Sequence, residues 1–171
     1  MNRNKVVALR RIMAFCVDWL IILAWAGLLF ALVMIVSSGE PSRPLNPWVG
    51  QAIGFLSMTL PVVLYFAVSE SSRHQATLGK RVLGLKVRFH RTTQVSFGVA
   101  LVRNAVKFIP WEVGHLVANQ MALSEGGEVP IWVYAAVAVS MSMPLWWIGS
   151  MIFSGLTPYD RLTSTEVVRE T

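Results

Sequence analysis

Three pairs of ionisable residues stand at helical spacings inside otherwise apolar runs. Arg11 and Asp18 are seven residues apart, close to two turns, so a helix there carries both on one face. Asp18 then lies about 9–10 Å inside the first apolar run. An ionisable group at that depth either binds an ion or proton or fixes packing by pairing with a base from another helix. Arg103 and Lys107 are four apart and also share a face, from which they reach either Asp18 or lipid headgroups. Asp18 is therefore expected beside a basic side chain, with Arg103 or Arg11 as its partner. Glu112 and His115 stand at i and i+3. Carboxylate-bridged metal bundles use such a pair in two copies with further glutamates. One copy is present, so the expectation is a polar stripe of Glu112, His115 and Asn119 along a helix interface or wet cavity.

Other chemistry is excluded more directly. Thr77-Leu78-Gly79-Lys80 resembles the end of a phosphate loop, but that loop needs a glycine five positions before the second one and a Ser or Thr after the lysine. His74 and Arg81 hold those places. Cys16 is the single cysteine and reads as a small buried hydrophobe. No serine–histidine–acid arrangement is legible, and neither an enzyme nor a resident cofactor or metal is expected. Thr157-Pro158-Tyr159-Asp160 reads as a helix start, with a capping threonine, proline at the first position and an acid at the third.

Composition says what must hold these residues in place. Of 171 residues, 54% are hydrophobic and 14% charged, against about 25% charged in soluble domains. With a mean hydropathy of +0.55, the apolar excess is too large for the core of so short a chain. This is an integral membrane protein. Its net charge of +6 sits beside apolar runs, where it orients helices and attracts anionic headgroups. No nucleic-acid recognition motif accompanies it.

The pattern predicts an all-α membrane protein, a bundle of about four transmembrane helices. Residues 12–36 and 48–68 form the first two spans, with a kink expected near Pro61. Trp48 and Tyr65 suit the two interfaces. Residues 70–96 are polar and basic, and five of the fifteen Lys and Arg residues lie between Arg73 and Arg88. A short strand or irregular segment is expected at 81–89. Residues 97–123 carry four ionisable groups around Pro110, so this third segment is expected to be broken or partly interfacial. Residues 129–153 span again, and 154–171 form a polar tail. No internal repeat is evident. Lys and Arg number four before the first span, one between the first two and six after the second, while the 124–128 turn has none. The positive-inside rule then places both termini and the basic block in the cytoplasm and the turn outside.

Arg11 to Asp18, the block from Gln75 to Val87, Arg103, and the run from Tyr159 to Val168 together resemble the RDD family of small membrane proteins, named for one arginine and two aspartates. The resemblance covers residues 10–168. Ser164 departs from it where a glycine is common, and Thr157-Pro158 departs from a more basic approach to Asp160. By resemblance the functional positions are Arg11, Asp18, Thr77, Gly79, Lys80, Gly84, Arg103, Asp160 and Thr165. Asp160 is expected against the 77–85 block, holding it through backbone N–H groups, Lys80 or Arg81. Some members are linked to cation–proton exchange, which implies small-solute or cation and proton transport in the bacterial inner membrane. The alternative is a non-transporting module that binds a partner protein or anionic lipid through the basic block. Intramembrane acids are few for a monomeric pump; a homo-oligomer would supply a shared path.

Overall fold

The computed structural model describes residues 3–37, 46–89, 94–124 and 127–170. It is mostly helical. Helix α1 runs Arg3–Val36, α2 Pro47–Gly54 and α3 Leu60–Ser71, the last two joined by a π-helical turn at Phe55–Thr59. Then come α4 (Leu78–Val82), β1 (Leu85–Phe89), α5 (Phe97–Leu123), α6 (Ile131–Ser154), α7 (Pro158–Leu162) and β2 (Thr165–Arg169). Three helical stretches are long and apolar enough to cross a bilayer: Lys5–Val36, Trp48–Ser71 and Ile131–Ser154. Their outward side chains, such as Leu20, Phe30, Ile131 and Phe153, are exposed, as a lipid-facing surface requires.

Helix α5 is the charged fourth member. The break expected at Pro110 is absent, and the helix continues through the proline for all 27 residues. It tolerates its charges because α3 and α6 pack extensively against it and hold them inside protein. The disturbance expected at Pro61 is the π turn just before it. Pro61 has no N–H to give the Ser57 carbonyl one turn back, and Trp25 Nε1 of α1 donates to that carbonyl instead at 2.9 Å.

The strand expected within 81–89 exists, and it has a partner that the all-α expectation left out. β1 and β2 form an antiparallel ribbon, with Val87 opposite Val167 and Leu85 opposite Arg169. Leu85, Val87 and Val167 are buried against Ala14, Ala67, Val95 and Ala100, so the ribbon closes one end of the bundle. Side chains from the start of α1, the end of α3, the start of α5 and the segment after α6 all converge at this end. Helices α1 and α5 therefore run away from it, and α2–α3 and α6 run back. Part of the 124–128 turn, Glu125 and Gly126, lies outside the described residues, as do Arg43 and Arg91.

The chain also repeats itself, contrary to expectation. Thr77 caps a five-residue helix, a residue with positive φ follows at Gly84 (+63°), and a five-residue strand begins at Leu85. Thr157, α7, Ser164 (φ +52°) and β2 reproduce that order at the same spacing. Each unit follows an outgoing and a returning helical stretch. The ribbon register maps onto itself when the units exchange, since Leu85–Arg169 and Phe89–Thr165 are equivalent pairs. Ser164 sits where a left-handed backbone favours glycine, which explains why a glycine suits that position.

Candidate functional site

Two carboxylate clusters lie at the ribbon end, and they exchange the partners expected of them. Asp18 makes no ion pair among the described residues. It accepts from Thr77 Oγ1 at 2.6 Å, Gly79 N at 2.8 Å and Tyr65 Oη at 3.0 Å. Tyr65 in turn accepts from Leu78 N at 3.2 Å, so its hydroxyl is engaged within the protein. Three neutral donors satisfy a carboxyl that is 1% exposed, which removes the need for a base. Gly79 is required by contact: an added Cβ would lie 2.0 Å from the Ala14 carbonyl oxygen. The basic block is thus tied to the bundle by the first aspartate.

The second aspartate does the pairing. Asp160 accepts from Arg11 Nη2 and Arg103 Nη2, both at 2.7 Å. It also completes a capping box with Thr157, whose N–H donates to its Oδ2 at 3.0 Å. The expected contact with the 77–85 block is absent, because Asp160 is already saturated and Lys80 points to Glu70. Burial would raise the Asp160 carboxyl; the Arg11 and Arg103 guanidiniums and the Thr157 N–H overcome this and hold it well below the usual carboxylate range.

Glu70 is the residue that sequence reasoning missed. It reads as the first solvated residue of the polar block, yet it is fully buried. One oxygen accepts from Lys80; the other accepts from Arg103 Nη1 at 2.7 Å and Asn104 Nδ2 at 2.9 Å. Its signal was an acid at the end of an apolar run, next to a basic block that would need one. Arg103 reaches Glu70, Asp160 and, through Nε at 3.1 Å, Thr165 Oγ1. It therefore clamps α3, α5, α7 and β2 together. Burial lowers the Lys80 ammonium and the Glu70 carboxylate opposes this. Removing one partner from such a buried network typically costs about 3–5 kcal/mol.

Glu112 and Asn119 of α5 face Gln51 and Thr59 on the α2–α3 side, while His115 lines the cavity described below. Glu112 accepts from Thr59 Oγ1 at 2.6 Å and from Gln51 Nε2, and Asn119 Nδ2 donates to Gln51 Oε1 at 3.0 Å. His115 Nδ1 lies 3.8 Å from Glu112 Oε2 and its ring meets Trp111 edge-on.

Between α1, α5 and α6 lies a cavity of about 530 Å³, within the range of small-molecule sites. Its walls are apolar, with Phe15, Trp19, Trp111 and Trp147 among them, and Arg11, Asp18, Lys80 and Arg103 mark its ribbon end. Lys107 also lines it. That ammonium stands 3.7 Å from the ring centre of Phe66, 4.4 Å from Phe15 and 5.1 Å from Phe108. Each such ring contact is worth roughly 0.5–2 kcal/mol. Arg103 and Lys107 thus share the expected face, but neither pairs with Asp18 among the described residues.

Three long apolar helices, a charged fourth sheltered between them, and a buried arginine–carboxylate lock define a small helical membrane bundle. Residues 6–163 match the RDD family, and the chain belongs to it. No curated protein and no solved structure matches the chain.

Proposed function

We propose that this chain is a plasma-membrane protein that binds a small amphipathic solute in the cavity between α1, α5 and α6. The carrying observation is the cavity itself, apolar along its walls and ionic at one end. The internal repeat adds support. The cavity separates α1 of the first unit from α5 and α6 of the second, and membrane carriers built from two repeats hold their solutes at such interfaces. The cytoplasmic side is the ribbon end, where the basic block lies.

This reading is favoured over cation–proton exchange because each acid of the lock is already engaged. Asp18 has three donors, and Glu70 and Asp160 are each held by two cations. A cation would have to displace these partners. It is favoured over headgroup capture by the basic block because Lys80 is buried with Glu70 and Lys86 pairs with Glu170. The solute either rests in the cavity or crosses through it.

The test uses the tryptophans in the wall. In neutral-lipid proteoliposomes, a brominated stearyl alcohol should quench Trp19, Trp111 and Trp147 with a saturable component. Gly114 lines the cavity and a Cβ there meets open space, so Gly114→Leu should project a side chain into the cavity and abolish that component. Quenching that is non-saturable, or unchanged by Gly114→Leu, would sink the reading. Proton flux in the same vesicles that disappears with Asp18→Asn would restore exchange instead.

A further inference from the structure

Among the described lysines and arginines that line the cavity, only Lys107 stands outside the ionic lock. Arg11, Lys80 and Arg103 each bond to Glu70 or Asp160. For Lys107 there is no hydrogen bond or ion pair among the described residues, only the three phenyl rings around its ammonium. The carboxylates nearest in the network are spoken for: both oxygens of Glu70 accept from Lys80, Arg103 and Asn104, and both oxygens of Asp18 accept from Thr77, Gly79 and Tyr65. Glu112, the other acid of α5, is bonded on the α2–α3 side and does not line the cavity. Four basic side chains therefore meet three carboxylates at this end of the cavity, Glu70 and Asp160 standing just behind its wall.

A lone ammonium in an apolar cavity is unfavourable: it either gives up its proton or gains a counter-charge, and an anionic guest supplies the second. Phenyl faces hold an ammonium in place without neutralising it. The arrangement suits a guest of definite chemistry. It carries one negative charge to meet Lys107 and an apolar tail to cover the cavity wall.

We infer that the cavity takes a single-chain amphipathic anion, with its carboxylate or phosphate head on Lys107 and its hydrocarbon chain along α1, α5 and α6. This rests on the cavity being the solute site and adds the charge of the solute. Ring contacts place Lys107 among side chains of α1, α3 and α5, so the head binds where those three helices meet.

The experiment compares brominated stearate, stearyl phosphate, stearyl alcohol and stearylamine as quenchers of the wall tryptophans in neutral-lipid proteoliposomes. The anions should bind about tenfold or more tightly than the alcohol, since an ionised hydrogen bond is gained. The amine should not bind. Lys107→Met should bring the anions down to the level of the alcohol and leave the alcohol unchanged, while Lys107→Arg should retain them. Lys107→Met should also raise the melting temperature of the empty protein, because an uncompensated charge is gone; a merely structural lysine would show the opposite. The stearate and phosphate arms tell a fatty-acid head from a phosphate head. Equal binding of alcohol and anions, or anion binding indifferent to Lys107→Met, would overturn the charge inference while leaving the solute site standing. Failure of every probe to saturate would remove the site itself.

Discussion

At the residue scale, the two aspartates divide the work. Asp18 holds backbone and hydroxyl donors of the α4 unit, and Asp160 holds two guanidiniums. Their responses to acid should differ accordingly. The Asp160 carboxyl is depressed in the folded protein. The stability it adds is therefore present above the unfolded carboxylate value of about 3.9 and is lost as pH falls through the lower folded value. Asp160→Asn should lower stability by about 3–5 kcal/mol near neutral pH, since Arg11 and Arg103 lose a buried counter-charge. The difference in melting temperature from the parent protein should narrow as pH drops below about 4. A difference that stays constant with pH would show that the carboxylate charge is not what the site uses. The family resemblance singled out Asp160, while spacing put Arg11 and Asp18 on one helix face and Arg103 with Lys107 on another. Neither showed who meets whom, because a partner from a distant helix is chosen by where each chain segment ends. Glu70 escaped notice for the same reason: only tertiary structure brings Arg103 and Asn104 over it.

At the element scale, the long apolar helices were legible because bilayer thickness dictates their length and composition. The strands were less so, being five residues each and half-covered, and β2 has no alternation strong enough to separate it from a loop. Continuity of α5 through Pro110 was not legible either. A proline removes one bond, and packing on α3 and α6 decides whether the helix survives that loss. The junction between α1 and α4 offers a sharp test. The Cβ added by Gly79→Ala would collide with the backbone carbonyl of Ala14, where no side chain can yield. The α4 unit should lift from α1, breaking the Gly79 N–H bond to Asp18. Overpacking of this kind costs about 1–3 kcal/mol. Limited trypsin digestion at Lys80 and Arg81 should accelerate, while Gly98→Ala, at a helical position with open space beside it, should leave cleavage unchanged. Equal digestion of both variants would mean that α4 does not depend on this close approach.

At the scale of the whole molecule, the two units share the order helix out, helix back, short capped helix, strand. Their sequences conceal it. Between 77–89 and 157–169 only Thr77/Thr157, Arg81/Arg161 and Val87/Val167 are identical, and the central charges are inverted, with Lys80 equivalent to Asp160. Inversion makes physical sense, because each unit then presents to the bundle the sign that its neighbours lack: Lys80 meets Glu70, and Asp160 meets Arg11 and Arg103. Such a repeat predicts an even number of crossings. Both strands lie in one ribbon, so the helical pair of each unit must leave and return on the same side. We therefore predict that α5 crosses with the others despite its charges, and that the α5–α6 connection lies opposite the ribbon. With Cys16→Ala as background, Glu128→Cys should react with a membrane-impermeant maleimide on intact cells. Glu170→Cys, at the end of the ribbon, should react only after permeabilisation. Should Glu128→Cys also require permeabilisation, α5 and α6 would not form a crossing pair, and the equivalence of the two units would fail with them.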